Sequence, residues 1–225
     1  MLLRLGKKIK IIFYVSIIFF LSSINNYNLD RINLLQVKQI DVVGLSYQNS
    51  IKLKNNIKSV LGKNIFFIKK DIKNYFEERN DIKNYSIQKI YPDKLKVNIK
   101  KAKGICLIIA NKEQMILGDN GKILTNSSNT KYLPRAIGSS DTIKIFQVYN
   151  MLKVSRLDIS NIKSIYFYKS ERFDIEFKNK LIIKFPIIYS QETINYAAHV
   201  IKDNLFKNVN IIDLRVSNKI ITYEE

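Results

Sequence analysis

The chain has 225 residues, 46% of them hydrophobic, and a formal charge of +19 from 38 basic and 19 acidic side chains. A single cysteine rules out an intramolecular disulfide framework, and one cysteine with one histidine leaves no Cys/His metal cluster and no Cys–His dyad supported by spacing. The lysines alternate with Ile and Asn over the whole length, so the charge describes solvated faces rather than a nucleic-acid footprint.

Residues 1–8 form a short basic tail, and the greasy segment 9–24 follows it. Ile11 to Leu21 carries no charge, while Arg4, Lys7, Lys8 and Lys10 precede it. Cationic residues ahead of an apolar run keep that end in the cytoplasm and send the rest across the membrane. The apolar stretch is shorter than the roughly 20 residues that span a bilayer comfortably, so a retained anchor and a cleaved signal peptide both stay open. Residues 25–35, rich in Asn, form a linker.

Order begins with a strand over Val37 to Val43, ended by Gly44. Asn49 or Ser50 caps a helix whose Leu53, Ile57, Val60 and Leu61 share a face, with Gly62 after it. Asp71 caps a second helix with Ile72, Tyr75 and Phe76 on one side. A strand from Ile82 to Tyr91 turns at Pro92-Asp93 into Leu95 to Lys100, where Leu95, Val97 and Ile99 alternate with polar residues. Strand, helix, helix, strand, strand closes one small core over residues 36–102.

Residues 103–225 are dominated by strands. Ile105 to Ala110 is one, with Cys106 as an inert buried thiol. Gln114 to Leu117 and Lys122 to Thr125 form a hairpin around Gly118-Asp119-Asn120-Gly121. A loop covers 126–131, and Pro134 interrupts the chain again. Asp141 starts a helix with Ile145, Phe146, Tyr149 and Leu152 on one side. Three strands, Ile162 to Tyr168, Phe173 to Phe177 and Leu181 to Phe185, make a meander. In the second of them Phe173, Ile175 and Phe177 point one way, and Arg172, Asp174, Glu176 and Lys178 the other. An amphipathic helix runs from Ser190 to Phe206 with His199 at its boundary. Asn210 to Val216, a turn at Ser217-Asn218 and Lys219 to Tyr223 close the chain. No phosphate-binding loop, dinucleotide fingerprint or catalytic constellation is present, so binding is favoured over catalysis and no cofactor is expected.

Taken in order, these motifs resemble the FtsQ/DivIB family of bacterial cell-division proteins. Ile40-Asp41-Val42-Val43-Gly44 is similar to its I-x-V-x-G strand, Gly62-Lys63-Asn64-Ile65-Phe66 to its G-x-N-I/L-F junction, and Tyr91-Pro92-Asp93-Lys94-Leu95-Lys96-Val97 to its Y/F-P-x-x-L-x-V hairpin. Ile116 to Gly121, Leu133-Pro134 and Ile212-Asp213-Leu214-Arg215 resemble the family's later L-V-D-x-x-G, L-P and (V/I)-D-(L/M)-R elements. The chain departs from the pattern at Lys100-Lys101-Ala102-Lys103, where Glu and Pro are common.

The resemblance implies an α+β fold: a single N-terminal transmembrane helix, a POTRA domain (β-α-α-β-β) and a mainly antiparallel β domain with flanking helices. It further implies a non-enzymatic bitopic scaffold of the divisome in the bacterial inner membrane, at the septum, with its N-terminus cytoplasmic and its bulk periplasmic. Other division proteins, among them an FtsB/FtsL-type coiled-coil pair, would be its partners. Strand addition at the last sheet edge would engage Arg215, Val216, Lys219, Ile220, Ile221, Thr222 and Tyr223, which suits a strand whose unpaired backbone groups otherwise lack partners. A POTRA component of an outer-membrane assembly or secretion machine is the alternative; a basic surface binding nucleic acid or lipid headgroups is a third reading.

Overall fold

The computed structural model describes residues 7–24, 35–110, 113–125, 130, 132–206, 209–216 and 219–223. The expected tail, the linker over 25–34, most of the loop at 126–131 and the Ser217-Asn218 turn lie outside them. The chain divides into two compact units, Met1–Glu78 with Tyr85–Ile99, and Arg79–Asn84 with Lys100–Glu225.

Helix α1 spans Lys7–Ile24, 18 residues. Lysines at positions 7, 8 and 10 crowd its first turn and leave a charge-free stretch of only about 21 Å, against a hydrocarbon core of about 30 Å. Among the described residues, no helix is long and apolar enough to cross a membrane by that measure. Its side chains are nonetheless uncovered: the large apolar residues from Ile9 to Leu21 are between 38% and 76% exposed.

The rest of the first unit contains β1 (Gln39–Val43), α2 (Tyr47–Asn56), a 3-10 turn at Lys58–Val60, α3 (Lys69–Glu77), β2 (Ile82–Ile90) and β3 (Lys94–Lys101), the last two running on into residues of the second unit. The sheet order is β1-β3-β2, with β1 parallel to β3 so that Ile40 lies opposite Leu95 and Val42 opposite Val97. The alternation in β3 buries Leu95, Val97 and Ile99, and Leu53, Ile57, Val60, Ile65, Ile68 and Ile72 of the same unit are buried as well.

Both helix starts differ from the expected ones. Ser46, not Asn49 or Ser50, occupies the N-cap position of α2, and Ile68, not Asp71, that of α3. The helix also stops at Asn56, where Asn55-Asn56 are weak formers. Ile57 to Val60 continue as a tighter turn that still buries Ile57 and Val60 but leaves Leu61 exposed. Gly44 is obligatory: φ is +95°, and a Cβ there would stand 1.9 Å from the Ile99 carbonyl oxygen.

The second unit is built on a nine-stranded sheet: β4 (Gly104–Ala110), β5 (Glu113–Gly118), β6 (Ile123–Leu124), β7 (Arg135–Ile137), β8 (Ile162–Phe167), β9 (Phe173–Phe177), β10 (Ile182–Lys184), β11 (Ile211–Asp213) and β12 (Ile221–Tyr223). Its order is β12-β11-β10-β9-β8-β7-β4-β5-β6. Antiparallel pairing prevails, but β4–β7, β7–β8 and β10–β11 are parallel. Two crossover helices account for two of these pairs, α4 (Thr142–Val154) between β7 and β8 and α5 (Gln191–Lys202) between β10 and β11. The helices contact each other and supply apolar residues to one shared core, so they cover one face of the sheet.

Register explains that core. Ile108, Ala136, Ile165, Ile175, Ile183 and Ile212 stand side by side across six strands and are all fully buried. Ile145, Val148 and Leu152 of α4 and Ile194, Ala197 and Ala198 of α5 belong to the same cluster. Both helix starts expected here hold: Asp141 accepts from the Ile143 and Lys144 amides at 3.0 and 3.1 Å, and Ser190 forms a reciprocal capping box with Thr193.

The hairpin tip after β5 is more than a turn. Asp119 bonds Lys83 Nζ at 2.7 Å and the Lys103 amide at 2.9 Å, and Asn120 Nδ2 donates to the carbonyls of Asn80 and Ile82. It thus ties together the chain segments that enter this unit.

Candidate binding edge and its surroundings

One end of the large sheet carries the candidate site. β12 pairs antiparallel with β11, Ile221 opposite Asp213, Thr222 opposite Ile212 and Tyr223 opposite Ile211. Among the described residues β12 has no strand on its other side, and all three of its residues are exposed. The strand is shorter than the expected Lys219 to Tyr223, and β11 shorter than Asn210 to Val216.

The seven expected residues fall into three settings. Ile221, Thr222 and Tyr223 form the edge strand. Ile220 is partly buried against the helix-side core, beside a small cavity that also touches His199 and Phe206. Arg215, Val216 and Lys219 instead line a groove of about 600 Å³ with Ile188, Glu192 and Tyr196 of the α5 entry. Ile188 is 90% exposed and Tyr196 52%, so apolar surface continues from Val216 onto α5. Sequence reading missed Ile188 and Tyr196; the signal for Tyr196 was a large aromatic residue off the buried stripe of α5, and Ile188 lies before that helix.

The sheet face turned away from the helices is charged. Tyr166, Asp174, Lys184, Asp213 and Ile221 stand in one cross-strand row. Arg215 clamps Asp213 with Nε at 2.8 and 2.9 Å from its two oxygens and Nη2 at 2.5 Å, and donates its own amide at 3.0 Å. These bonds hold the Asp213 carboxyl below the usual carboxylate range although the group is buried. Asp174 behaves oppositely. It points away from the core residues of β9, yet it is buried, its Oδ1 has no hydrogen-bond partner among the described residues, and desolvation raises its pKa despite nearby Tyr168, Arg172 and Lys184. Lys184 Nζ lies 5.8 Å from the Tyr223 ring centre, joining this charged row to the edge strand.

Among the described residues no group of three His, Cys, Asp or Glu side chains is placed to hold a metal ion. Cys106, a residue of β4, is fully buried in the core shared with the helices, with its thiol pushed up to about 12 by burial. Among the described residues the arrangement combines an edge strand with no neighbour on one side, a groove with apolar residues and fixed charges.

A family model matches just under half of the chain. Residues 107–215 match the model of the cell division protein FtsQ/DivIB, C-terminal domain. Among solved structures, the chain is similar to the major extracytoplasmic domain of the trans isomer of the bacterial cell division protein DivIB from Geobacillus stearothermophilus. The identity is 14%, covering 44% of this chain and 91% of that one with a TM-score of 0.35. No curated protein matches the chain.

Proposed function

We propose that the chain is a member of the FtsQ/DivIB cell-division family, whose C-terminal model matches residues 107–215, and that it is a non-enzymatic scaffold of the divisome. It captures an extended segment of a partner by strand addition on β12. The observation that carries the reading is the position of β12 at the end of the sheet, with no strand on its outer side among the described residues and the groove of Arg215, Val216 and Lys219 beside it. A docked strand satisfies backbone groups at about 1 kcal/mol net per hydrogen bond, and side chains reaching the groove add selectivity. The C-terminal segment of an FtsB/FtsL-type coiled-coil pair is the partner this reading names.

The first unit acts as a POTRA-type module that recruits the chain to division sites. Its strand, helix, helix, strand, strand order supports that role. Helix α1 is a single anchor in the inner membrane with the lysine-bearing end cytoplasmic. Its uncovered Ile, Phe and Leu side chains need an apolar surrounding, and Lys10 snorkels to shorten the span required.

The test is capture of an FtsB C-terminal peptide by the full chain in detergent. Deleting residues 221–223 is expected to lower affinity at least tenfold with the melting temperature of the rest preserved; equal affinity overturns strand addition.

A further inference from the structure

We propose that the loop Asn64–Phe67, with Lys89 to Tyr91, is a second membrane contact that rests in the headgroup layer of an anionic bilayer. This rests on α1 being the anchor.

The loop is built to hold two aromatic rings out of the core. Ile65 and Ile68 on either side of the pair are fully buried, while Phe66 is 50% and Phe67 74% exposed. Asn64 fixes the bend: its Oδ1 accepts from the Phe66 amide at 3.0 Å and its carbonyl from the Phe67 amide at 3.1 Å. Tyr91, 55% exposed, packs on Phe66 with ring centres 5.7 Å apart, and its neighbour Ile90 is 41% exposed. Lys89 reaches over the Phe66 ring and donates to the Phe66 carbonyl at 3.1 Å. Aromatic rings rimmed by lysine are the side-chain set that settles at a membrane–water boundary.

Chain connectivity says what covers this patch. The polypeptide arriving from α1 is bonded to this same loop: the Leu35 carbonyl accepts from the Ile65 amide at 2.9 Å, and Val37 donates to the Lys63 carbonyl at 3.0 Å. Covalent geometry holds Leu35 within about 40 Å of the end of α1, and the patch begins one residue from that attachment. An anionic surface also complements the +19 charge. The short apolar stretch of α1 gives the contact a purpose, since a marginal anchor becomes stable when a second membrane signal is added.

The experiment uses the full chain reconstituted in phosphatidylcholine vesicles with or without 30% phosphatidylglycerol. Phe67→Cys is labelled with an environment-sensitive fluorophore, Cys106 being buried. An alkaline carbonate wash first scores the anchor. Retention on the vesicles, with the label blue-shifted and quenched at least twofold more by headgroup-nitroxide lipid in the anionic vesicles than in the neutral ones, is the expected result. The Phe66→Ser, Tyr91→Ser background should halve that quenching.

Retention with a label open to aqueous iodide overturns the contact and leaves the anchor standing. A blue shift without lipid quenching overturns it too, because the patch then faces protein. Loss in the wash overturns the anchor reading and this inference with it.

Discussion

Arg215 folds its guanidinium back onto Asp213, two residues earlier, and closes a fork whose contacts run from 2.5 to 2.9 Å. The residue expected to greet a partner is therefore already engaged in holding a buried carboxylate. Removing it strands that charge, so Arg215→Ala is expected to cost about 1–3 kcal/mol of stability, read by urea unfolding. The pH dependence has a definite sign. The folded pKa of Asp213 is depressed, so its contribution is present above the unfolded value near 4 and lost as pH falls through the folded value. Arg215→Ala should flatten the acid limb of the stability profile below pH 4.

Asp174 should respond in the opposite sense. Its folded pKa is raised by burial, so its ionised form is penalised at neutral pH, and the penalty lifts as pH falls through the raised value. Asp174→Asn keeps the shape without the charge and is expected to stabilise the chain by roughly 1 kcal/mol at pH 7. The gain should vanish near pH 3, where both proteins are neutral at this position. Thermal unfolding across pH 3–8 reads both limbs.

Strand addition makes a paired prediction for proline. Successive residues of a strand point their amides to opposite sides, so of Ile221→Pro and Thr222→Pro one removes a donor to β11 and the other an outward donor. The variant that keeps the β11 ladder should retain the wild-type melting temperature and lose capture of the FtsB peptide. Undiminished capture by both variants would contradict docking at this edge.

Gly44→Ala should destabilise the first unit by about 2–4 kcal/mol, because a strained φ of +95° coincides with a Cβ only 1.9 Å from a backbone oxygen. Gly62 is the internal comparison: φ is +80° but the space beyond it is open, so Gly62→Ala should cost only about 1 kcal/mol. Chemical denaturation of the two variants separates conformational strain from collision.

Cys106 should ignore thiol reagents in the folded chain at pH 8 and react at once in guanidinium, because its thiolate is both hidden and disfavoured. A colourimetric disulfide reagent measures it.

Much of this molecule was legible in its residues because alternation and capping are local. The Leu95, Val97, Ile99 pattern, the Asp141 and Ser190 caps and the β8–β9–β10 meander are where side-chain type dictates them. The pieces that could not be read depend on distant neighbours. Strand β7 is Arg-Ala-Ile, three residues with no alternation to see, and it becomes a strand only through parallel pairing with β4 and β8. Asp174 alternates like a solvent-facing residue, yet the row formed by Tyr166, Lys184 and Asp213 encloses it. Of the candidate site, the terminal edge was legible as a strand, while the groove with Ile188 and Tyr196 required knowing that α5 begins beside Arg215, Val216 and Lys219.

The seating of β7 has a mechanical consequence. Its left-hand neighbour was laid down some 30 residues earlier in the chain and its right-hand neighbour comes about 25 later, so neither portion of the sheet can finish alone. A load pulling on β12 is therefore passed strand by strand through Ala136 to β4 instead of peeling away a separable flap. The second unit should yield to force in one step.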